Sequence, residues 1–167
     1  MSKILVTGGT GFIGAALVKQ LILQGHQVRV FDNNFRGNTR RISNVFNQVE
    51  CIWGDIREPQ IVFEAVKDVD IVYHLAFING TRYFYEKPDL VLEVVLKGTL
   101  NVLDAIKKWN TPRYIFASSA EVYQVPTHTP TTETERLIVP DPKNPRYSYG
   151  GSKLIGEILS LHYLQMK

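Results

Sequence analysis

A tyrosine and a lysine four residues apart, Tyr149 and Lys153, are the side chains best suited to acid–base chemistry in this sequence. A spacing of four places both on one face of a helix. A free phenol, with a pKa of about 10, is a poor base at neutral pH, but a neighbouring ammonium favours the phenolate and lowers that pKa. Such a pair could remove the proton of a substrate hydroxyl while a hydride leaves the same carbon.

The same spacing occurs twice more, in Tyr83 with Lys87 and in Tyr163 with Lys167, so spacing alone does not select the site. Lys87 precedes Pro88, which disfavours a helix at that point. Nothing in the sequence places Lys167 near a ligand. The remaining pair is the one that begins a predicted helix and follows a predicted strand ending in serine.

That predicted strand ends at Ser118 and Ser119. Because the carboxyl ends of parallel strands line the ligand crevice of an α/β sheet, Ser119 and Tyr149 could converge there, with the serine hydroxyl holding the substrate oxygen. The alternative is a strand-end serine that caps a turn. Gly150 and Gly151 begin the helix at a cost of about 1 kcal/mol each relative to alanine, which indicates a close approach to its backbone.

A glycine-rich turn at residues 7–14 lies between the first predicted strand and the first predicted helix. Gly8, Gly11 and Gly14 let the backbone turn tightly and approach a pyrophosphate, and the N-terminus of the following helix favours phosphate. These glycines are spaced by three and three, whereas the commonest dinucleotide fingerprint has two and three. A plain tight turn is therefore the alternative.

An acidic residue, Asp32, ends the second predicted strand about 20 residues beyond the glycine turn, where a carboxylate meets the adenosine ribose hydroxyls. A carboxylate there repels the 2′-phosphate of NADP, so the position favours NAD. Two alternatives stay open. Asp32 could begin a turn with Asn33 and Asn34, and Arg36 could reach a 2′-phosphate.

Short apolar runs alternate with helical patterns along the chain, which predicts an α/β fold, a doubly wound parallel sheet of the Rossmann type. The predicted strands are 3–6, 28–31, 49–53, 70–74 and 113–117. The predicted helices are 12–24, 58–67, 90–108 and 148–167. Residues 126–145, with five prolines, are predicted as a loop. The aromatic segment 77–85 could line the substrate site or form a surface lid.

Composition excludes several classes of protein. The 167 residues are 44% hydrophobic and 21% charged with a net charge of +3, and the only basic cluster is Arg36, Arg40 and Arg41, so we expect no nucleic-acid partner. The single cysteine, Cys51, excludes an internal disulfide and a cysteine-rich zinc site, and we expect no metal and a small buried apolar thiol. With no membrane-length apolar run and no signal peptide before the first strand, we expect a cytoplasmic location.

The residues taken together resemble the extended short-chain dehydrogenase/reductase family, above all its nucleotide-sugar epimerases and dehydratases. The resembling motifs cover almost the whole chain and stand in the family's order. They are TGGTGFIG at 7–14, DNN at 32–34, GDI at 54–56, HLA at 74–76, SSAEVY at 118–123 and YGGSK at 149–153.

The resemblance implies an NAD-dependent enzyme that transiently oxidises a sugar hydroxyl, for example at C4 of a UDP-hexose. Its catalytic residues would be Ser119, Tyr149 and Lys153, with Tyr149 as the base. It also implies that the Asp55 side chain and the Ile56 backbone hold the adenine. The implied cofactor-binding set is Gly8, Gly11, Phe12, Ile13, Gly14, Asp32, Asn33, Asp55, Ile56, Leu75, Ala76, Tyr149 and Lys153.

Departures from the family pattern bear on the branch. Ala120 stands where many 4,6-dehydratases carry an acid, which argues against that branch, whereas Glu121 matches the acid of nucleotide-sugar decarboxylases and some GDP-sugar dehydratases. Val95 and Gln124 replace a frequent asparagine and the usual glycine. We interpret the chain as an epimerase, with a decarboxylase or dehydratase as the alternative.

Two further readings concern binding rather than catalysis. A non-catalytic NAD-binding module, such as a redox-sensing regulator, would not need the serine, tyrosine and lysine set. The helices at 90–108 and 148–167 could pair two copies as a homodimer, with Leu154, Ile158 and Leu161 as an apolar stripe, or those side chains could face their own sheet.

Length is the largest departure. Family members are usually longer, and the further part carries the last strands and most of the sugar-nucleotide pocket. We therefore interpret residues 1–167 as one NAD-binding domain, the N-terminal part of a longer family fold without its substrate domain. Whether the chain is a fragment, a truncated form or a split gene product stays open. We expect NAD binding without turnover of a nucleotide sugar.

Overall fold

A computed structural model describes residues 1–163 of the chain, and the last four residues of the predicted C-terminal helix, with Lys167, lie outside it. Five strands form one sheet in the order β3-β2-β1-β4-β5, and every neighbouring pair is parallel. The predicted α/β sheet of the Rossmann type is confirmed, with strand ends within a residue or two of those expected. The strands are β1 (Lys3–Thr7), β2 (Gln27–Asp32), β3 (Val49–Trp53), β4 (Ile71–His74) and β5 (Arg113–Phe116).

Within residues 1–163, five α-helices connect and cover these strands. They are α1 (Phe12–Leu23), α2 (Pro59–Val66), α3 (Thr81–Glu86), α4 (Pro88–Trp109) and α5 (Ser148–His162). The proline-rich stretch from 126 is irregular, as predicted, until a 3-10 turn at Pro145–Tyr147.

Helix α3 lies in the aromatic segment 77–85. The sequence did not decide whether this segment lines the substrate site or forms a surface lid. Helix α3 has only six residues, too few for an apolar period to show. It follows Gly80, whose φ is +143°, and ends at Glu86, because Lys87 leaves the helical conformation with a φ of −145° and a ψ of +55° before Pro88. Tyr83 and Lys87 are thus not on one continuous helix, in agreement with the proline argument.

The two faces of the sheet bury different side chains, because successive residues of a strand point to opposite sides. Ile4 and Val6 of β1 pack with the apolar face of α1, while Leu5 packs with α2 and α4. The start of α5 joins the second cluster through Tyr149. Both faces are therefore covered, which explains why the strands are nearly continuous apolar runs.

The chain reverses its direction of winding at β1. It builds β2 and β3 on one side of β1 and then returns to place β4 and β5 on the other. The carboxyl ends of β1 and β4 meet at this switch point, where open α/β sheets bind their ligands. The Leu75 amide donates to the Thr7 carbonyl there at 3.2 Å, and the Gly8 amide donates to the Phe31 carbonyl at 2.7 Å.

Two further expectations can be compared with the described residues. Cys51 is only partly buried, contrary to the prediction, because β3 is an edge strand. Across residues 1–163, none of the helices combines the length and apolar character that a membrane span requires.

Candidate functional site

The glycine turn between β1 and α1 is closely packed at two of its glycines. Gly8 has a φ of +71°, and a Cβ there would lie 2.7 Å from the Leu75 carbonyl oxygen. A Cβ on Gly14 would overlap the carbonyl oxygen of Gly8. The N-terminus of α1 carries no side-chain cap. The turn is thus a backbone cradle that any side chain would fill, which suits a pyrophosphate.

Phe12 and Ile13, two residues of the predicted cofactor-binding set, stand at the mouth of this turn. Their side chains are 86% and 67% exposed. An exposed apolar pair contributes no packing to the fold, so any contact with a cofactor comes through their backbone at the helix N-terminus or through this free apolar surface. Their role stays a prediction.

Asp32, at the end of β2, is buried and accepts two backbone hydrogen bonds. Its Oδ2 accepts from the Thr10 amide at 3.0 Å, and its Oδ1 accepts from the Asn34 amide at 2.8 Å. The turn that the sequence allowed is therefore present, and the same carboxylate also lines the cleft. Each oxygen keeps a free lone pair, so this turn does not prevent contact with ribose hydroxyls.

Asp55, in the turn after β3, forms the most densely hydrogen-bonded group of the site. Arg57 donates to both of its oxygens, and Asn33 donates to Oδ2 at 3.2 Å. These hydrogen bonds, those of Arg57 first, hold the pKa of the Asp55 carboxyl below its usual value. The carboxylate and Glu93 in turn raise the pKa of Arg57. Both groups are charged over the whole neutral range.

A cleft with a cavity volume of about 140 Å³ joins these groups. Eight of the thirteen predicted cofactor-binding residues line it: Gly8, Gly11, Asp32, Asn33, Asp55, Ile56, Leu75 and Ala76. Arg36 also lines it, with its guanidinium 5.4 Å from the ring centre of Tyr83. Phe12, Ile13, Gly14, Tyr149 and Lys153 are outside this lining, so the structure does not bring the whole predicted set into one cleft.

The predicted base, Tyr149, begins α5 and is 5% exposed. Its ring stacks on Phe84 of α3, with centres 5.4 Å apart and planes 15° apart. Burial raises the pKa of Tyr149, the nearby Ser119 hydroxyl acts against that rise, and the Glu121 carboxylate adds to it. The Ser119 hydroxyl also accepts from the Glu121 amide at 3.2 Å, which is the turn cap named as its alternative role.

Lys153 is completely buried one turn further along α5. Its ammonium donates to the Ala117 carbonyl oxygen and lies 2.8 Å from the ring centre of Phe77 and 4.6 Å from that of Phe116. Burial lowers the pKa of Lys153 to about 6, although Glu157 opposes the change. The expected lowering of the tyrosine pKa by a lysine charge is therefore not found here, because the lysine is mostly neutral at pH 7.

His74, the last residue of β4, is a buried residue that the sequence assigned no role. Thr7 Oγ1 accepts from the amides of Leu75 and Ala76, both at 3.1 Å, so its hydrogen is left for His74 Nδ1 at 2.8 Å. Nε2 then donates to Thr99 at 3.4 Å. Burial, with a smaller effect of Lys153, lowers the His74 pKa well below its usual value. A neutral histidine thus fixes the carboxyl edge of β4.

The two glycines at the start of α5 differ. A Cβ on Gly150 would meet the Gln124 amide and the Glu121 carbonyl, whereas one on Gly151 would touch only Val139, at 3.3 Å. The predicted close approach is therefore real at Gly150, and the approaching group is the chain's own backbone and side chain. Gln124 holds a φ of +52° there, the conformation that the family's glycine would adopt without strain.

Sequence reasoning missed Arg57, and it left Phe77 and Phe84 without an assigned role inside the aromatic segment 77–85. Arg57 carried a usable signal, because an arginine two residues after an acid in a turn can fold back onto its carboxylate. The two phenylalanines carried none. Each contacts α5 from a segment far away in sequence, and aromatic residues in a loop have no characteristic spacing.

Comparison with known proteins supplies the remaining findings. The model of the NAD dependent epimerase/dehydratase family matches residues 4–167. The UDP-N-acetyl-alpha-D-glucosaminuronate decarboxylase of Bacillus cytotoxicus is 34% identical over 161 residues, which are 96% of this chain and 50% of that protein. The bifunctional UDP-glucose 4-epimerase and UDP-xylose 4-epimerase 1 of Pisum sativum is 34% identical over 166 residues, covering 93% of this chain and 45% of that protein.

A solved structure gives the same result. The UDP-glucose 4-epimerase of Brucella ovis in complex with NAD superposes with a TM-score of 0.85 at 31% identity, over 98% of this chain and 48% of that one. The chain thus spans about half the length of the relatives it matches.

Proposed function

Because the chain belongs to the NAD dependent epimerase/dehydratase family, whose enzymes use NAD, we propose that it is the cofactor-binding part of an NAD-dependent nucleotide-sugar epimerase. The observation that carries the proposal is the meeting of three features at one edge of the sheet. These are the glycine cradle, the cleft with its two carboxylates, and the buried tyrosine and lysine of α5.

The proposed cofactor contacts follow the cleft from one end to the other. The cradle at Gly8 and Gly14 would take the pyrophosphate, Asp32 the adenosine ribose, and Asp55 with the Ile56 backbone the adenine. Phe12 and Ile13 would contribute helix N-terminal amides, and Leu75 and Ala76 would border the nicotinamide half. Asn33 adds a polar group beside the ribose.

When bound, NAD supplies the acceptor for a hydride from the sugar carbon. The chain's own residues handle the proton. Ser119 would hold the substrate oxygen beside the Tyr149 phenol, and the phenolate would take the hydroxyl proton. Lys153 favours that phenolate only when it is protonated, which requires polar groups around its ammonium in place of the Phe77 and Phe116 rings. Hydrogen bonds to a cofactor ribose would provide them.

A decarboxylase or dehydratase is the second candidate. The observation that favours it is Glu121, whose carboxylate acts on the pKa of Tyr149 and thus lies at the proposed reaction centre. The decarboxylase of Bacillus cytotoxicus is among the relatives at about the same identity as the epimerase. A non-catalytic NAD-binding module receives less support, because such a module would not need Ser119, Tyr149 and Lys153, and all three are present in this chain.

We also propose a homodimer through the helices at 90–108 and 148–167, and a cytoplasmic location. The apolar stripe on α5 supports the dimer, since Ile158 is 50% and Leu161 71% exposed while Leu154 is partly buried. Part of the stripe therefore faces the molecule's own fold and part faces outward.

Calorimetric titration tests the proposed function. We expect heat on adding NAD, weaker binding of NADP, and no epimerisation of UDP-glucose, because the chain spans about half the length of its relatives. Asp32→Asn removes the charge that repels a 2′-phosphate. The ratio of the NADP dissociation constant to the NAD dissociation constant should therefore fall by about tenfold. Absence of both heat and thermal stabilisation at millimolar NAD would contradict the proposal. Epimerisation that is lost in Tyr149→Phe would show that the chain suffices for catalysis.

A further inference from the structure

We propose that Arg57 is a positioning residue that sets the base specificity of the cleft. Its guanidinium holds the Asp55 carboxylate so that one acceptor position, now taken by Asn33, is presented to the exocyclic amine of an adenine ring. The inference rests on the proposed NAD binding and deepens it. Arg57 is thus the residue that makes the adenine end of the site selective for one base.

The Arg57 guanidinium contacts both oxygens of the Asp55 carboxylate, an arrangement called the fork below. The Arg57 amide and Nε both donate to Oδ1 at 2.9 Å, and a terminal guanidinium nitrogen donates to Oδ2 at 2.9 Å. The other terminal nitrogen donates to Glu93 of α4 at 2.9 Å. The guanidinium is therefore fixed between the turn after β3 and a long helix, and it fixes the carboxylate in turn.

The remaining acceptor capacity of Asp55 can be counted. An ionised carboxylate offers about four lone-pair positions, and Arg57 fills three of them. The fourth is on Oδ2, where Asn33 donates at 3.2 Å, the longest of the four hydrogen bonds. The Asn33 Oδ1 accepts from the Phe35 amide, which turns its amino group toward Asp55.

Asn33 therefore occupies the position of a planar NH₂ donor. The exocyclic amine of adenine is a donor of the same geometry, and exchange of one for the other keeps the carboxylate saturated. Asn33, Asp55 and Arg57 all line the cleft. Phe31, a buried apolar side chain, lines it too and suits the face of a base.

Charge makes the position selective as well as available. The Asp55 carboxyl is ionised at neutral pH, and Arg57 lowers its pKa further, so this position accepts a hydrogen bond from a donor and repels another acceptor. A hypoxanthine ring carries a carbonyl oxygen where adenine carries its amine, so it meets the carboxylate with the wrong polarity. Glu93 is outside the cleft lining and acts on the base only through Arg57.

The experiment compares the dissociation constants of NAD and of its hypoxanthine analogue, measured by calorimetry on the full chain. The wild type should prefer NAD by about tenfold or more, the size of one hydrogen bond to a charged group. In Arg57→Gln the preference should fall below about threefold, with the loss on NAD and little change for the analogue. Arg57→Lys should fall between, because one ammonium cannot fill the fork.

Two more variants separate positioning from a general effect on the fold. Glu93→Gln keeps the fork and removes its outer anchor, so it should lower the preference less than Arg57→Gln does. Arg82→Gln is the matched control, because Arg82 pairs with Glu86 on the exposed surface of α3, away from the cleft. It should leave the preference unchanged.

Three results would overturn the inference. The first is an unchanged preference in Arg57→Gln. The second is an equal loss for both dinucleotides, which would mean that Arg57 supports the turn or the rest of the ligand rather than the base. If Arg57→Gln does not fold, an unchanged preference in Glu93→Gln would decide against it. A wild-type chain that binds neither dinucleotide would overturn the proposed function itself, which is a distinct outcome.

Discussion

The two ends of the site are built in opposite ways. At the adenosine end, Asp32 and Asp55 face an open cleft, and each accepts hydrogen bonds from a residue two positions away and from one 22 positions away. At the catalytic end, Tyr149 and Lys153 are buried under aromatic rings from distant segments, and burial shifts both pKa values toward the neutral form. One end is charged and held by hydrogen bonds, whereas the other is uncharged and held by the packing of aromatic rings.

This difference separates binding from chemistry. Neighbouring residues hold both carboxylates in place before a ligand binds, and only Asn33 has to give up its hydrogen bond to Asp55, so the adenosine end is largely preorganised. A buried amine and phenol are poor at proton transfer until polar groups restore their charge. The catalytic end therefore depends on what binds beside it, and the adenosine end does not.

Gly14→Ala should give the largest effect, and it acts on the glycine cradle that adjoins the adenosine end. The new Cβ collides with the Gly8 carbonyl oxygen, a backbone atom that cannot move aside. We expect a loss of about 3 kcal/mol or more in the free energy of unfolding and no detectable NAD binding. Urea unfolding and calorimetry measure the two.

Gly25→Ala is the control for that substitution. Gly25 has a φ of +79° and no atom near its Cβ position, so alanine brings backbone strain without collision, at a cost of about 1 kcal/mol. An equal loss of unfolding free energy in Gly14→Ala and Gly25→Ala would show that the glycine turn tolerates a side chain. The packing in the cradle would then be looser than described.

Lys153→Met should change how stability depends on pH. In the folded chain the Lys153 pKa is about 6, while in the unfolded chain it is near its ordinary 10.5. Between these values the unfolded state binds one proton more, so the unfolding free energy rises with pH by about 1.4 kcal/mol per unit. Methionine has no proton to take up, so urea titrations between pH 7 and pH 8.5 should show a flatter slope by that amount.

The slope of the unfolding free energy against pH is compared between wild type and Lys153→Met. Groups that titrate equally in both proteins contribute equally to the two slopes and cancel in their difference. Parallel slopes in wild type and variant would mean that Lys153 keeps its proton when folded, and the two ends of the site would then both be charged. Asp55 provides the contrast, because its pKa is lowered, so its contribution is present at neutral pH and is lost only in acid.

Gly151→Ala should give the smallest effect, a gain of up to about 1 kcal/mol in unfolding free energy from helix propensity, measured by urea unfolding. Its Cβ would meet only the end of the Val139 side chain, which can give way. Gly150→Ala, one residue earlier, should instead lower the unfolding free energy, because its new Cβ would lie only 2.6 Å from the Glu121 carbonyl oxygen. A loss at both positions would show that the catalytic end tolerates no added volume.

The sequence predicted what is local. The five strands, the long α4 and the glycine turn follow from apolar periodicity and glycine spacing, each read within a few residues. Asp32 was predicted for the same reason, from its distance after the glycine turn, whereas Asp55 was implied only by the family resemblance. Tyr149 and Lys153 could be placed on one helix face because that also is a matter of spacing.

Their environment could not be predicted in the same way. The ring of Phe84 over Tyr149, and that of Phe77 over Lys153, depends on how α3 and the end of β4 pack against α5. That packing decides the sign of both pKa shifts, and a neighbouring lysine alone would have given the opposite sign for tyrosine. Helix α3 itself was too short to be recognised from its pattern.

The strand order also determines the sequence of events during synthesis. β1, β2 and β3 are made in succession and can pair while the chain emerges, whereas the hydrogen bond between Thr7 and His74 joins residues 67 positions apart. Synthesis proceeds at about 5–20 residues per second, so roughly 3–13 seconds pass between the synthesis of β1 and that of β4. During that interval its second edge is an unpaired parallel strand, the kind of surface on which nascent chains associate wrongly. The strands that carry Asp32 and lead to Asp55 can therefore pair with β1 before the strands that lead to the tyrosine and lysine are added.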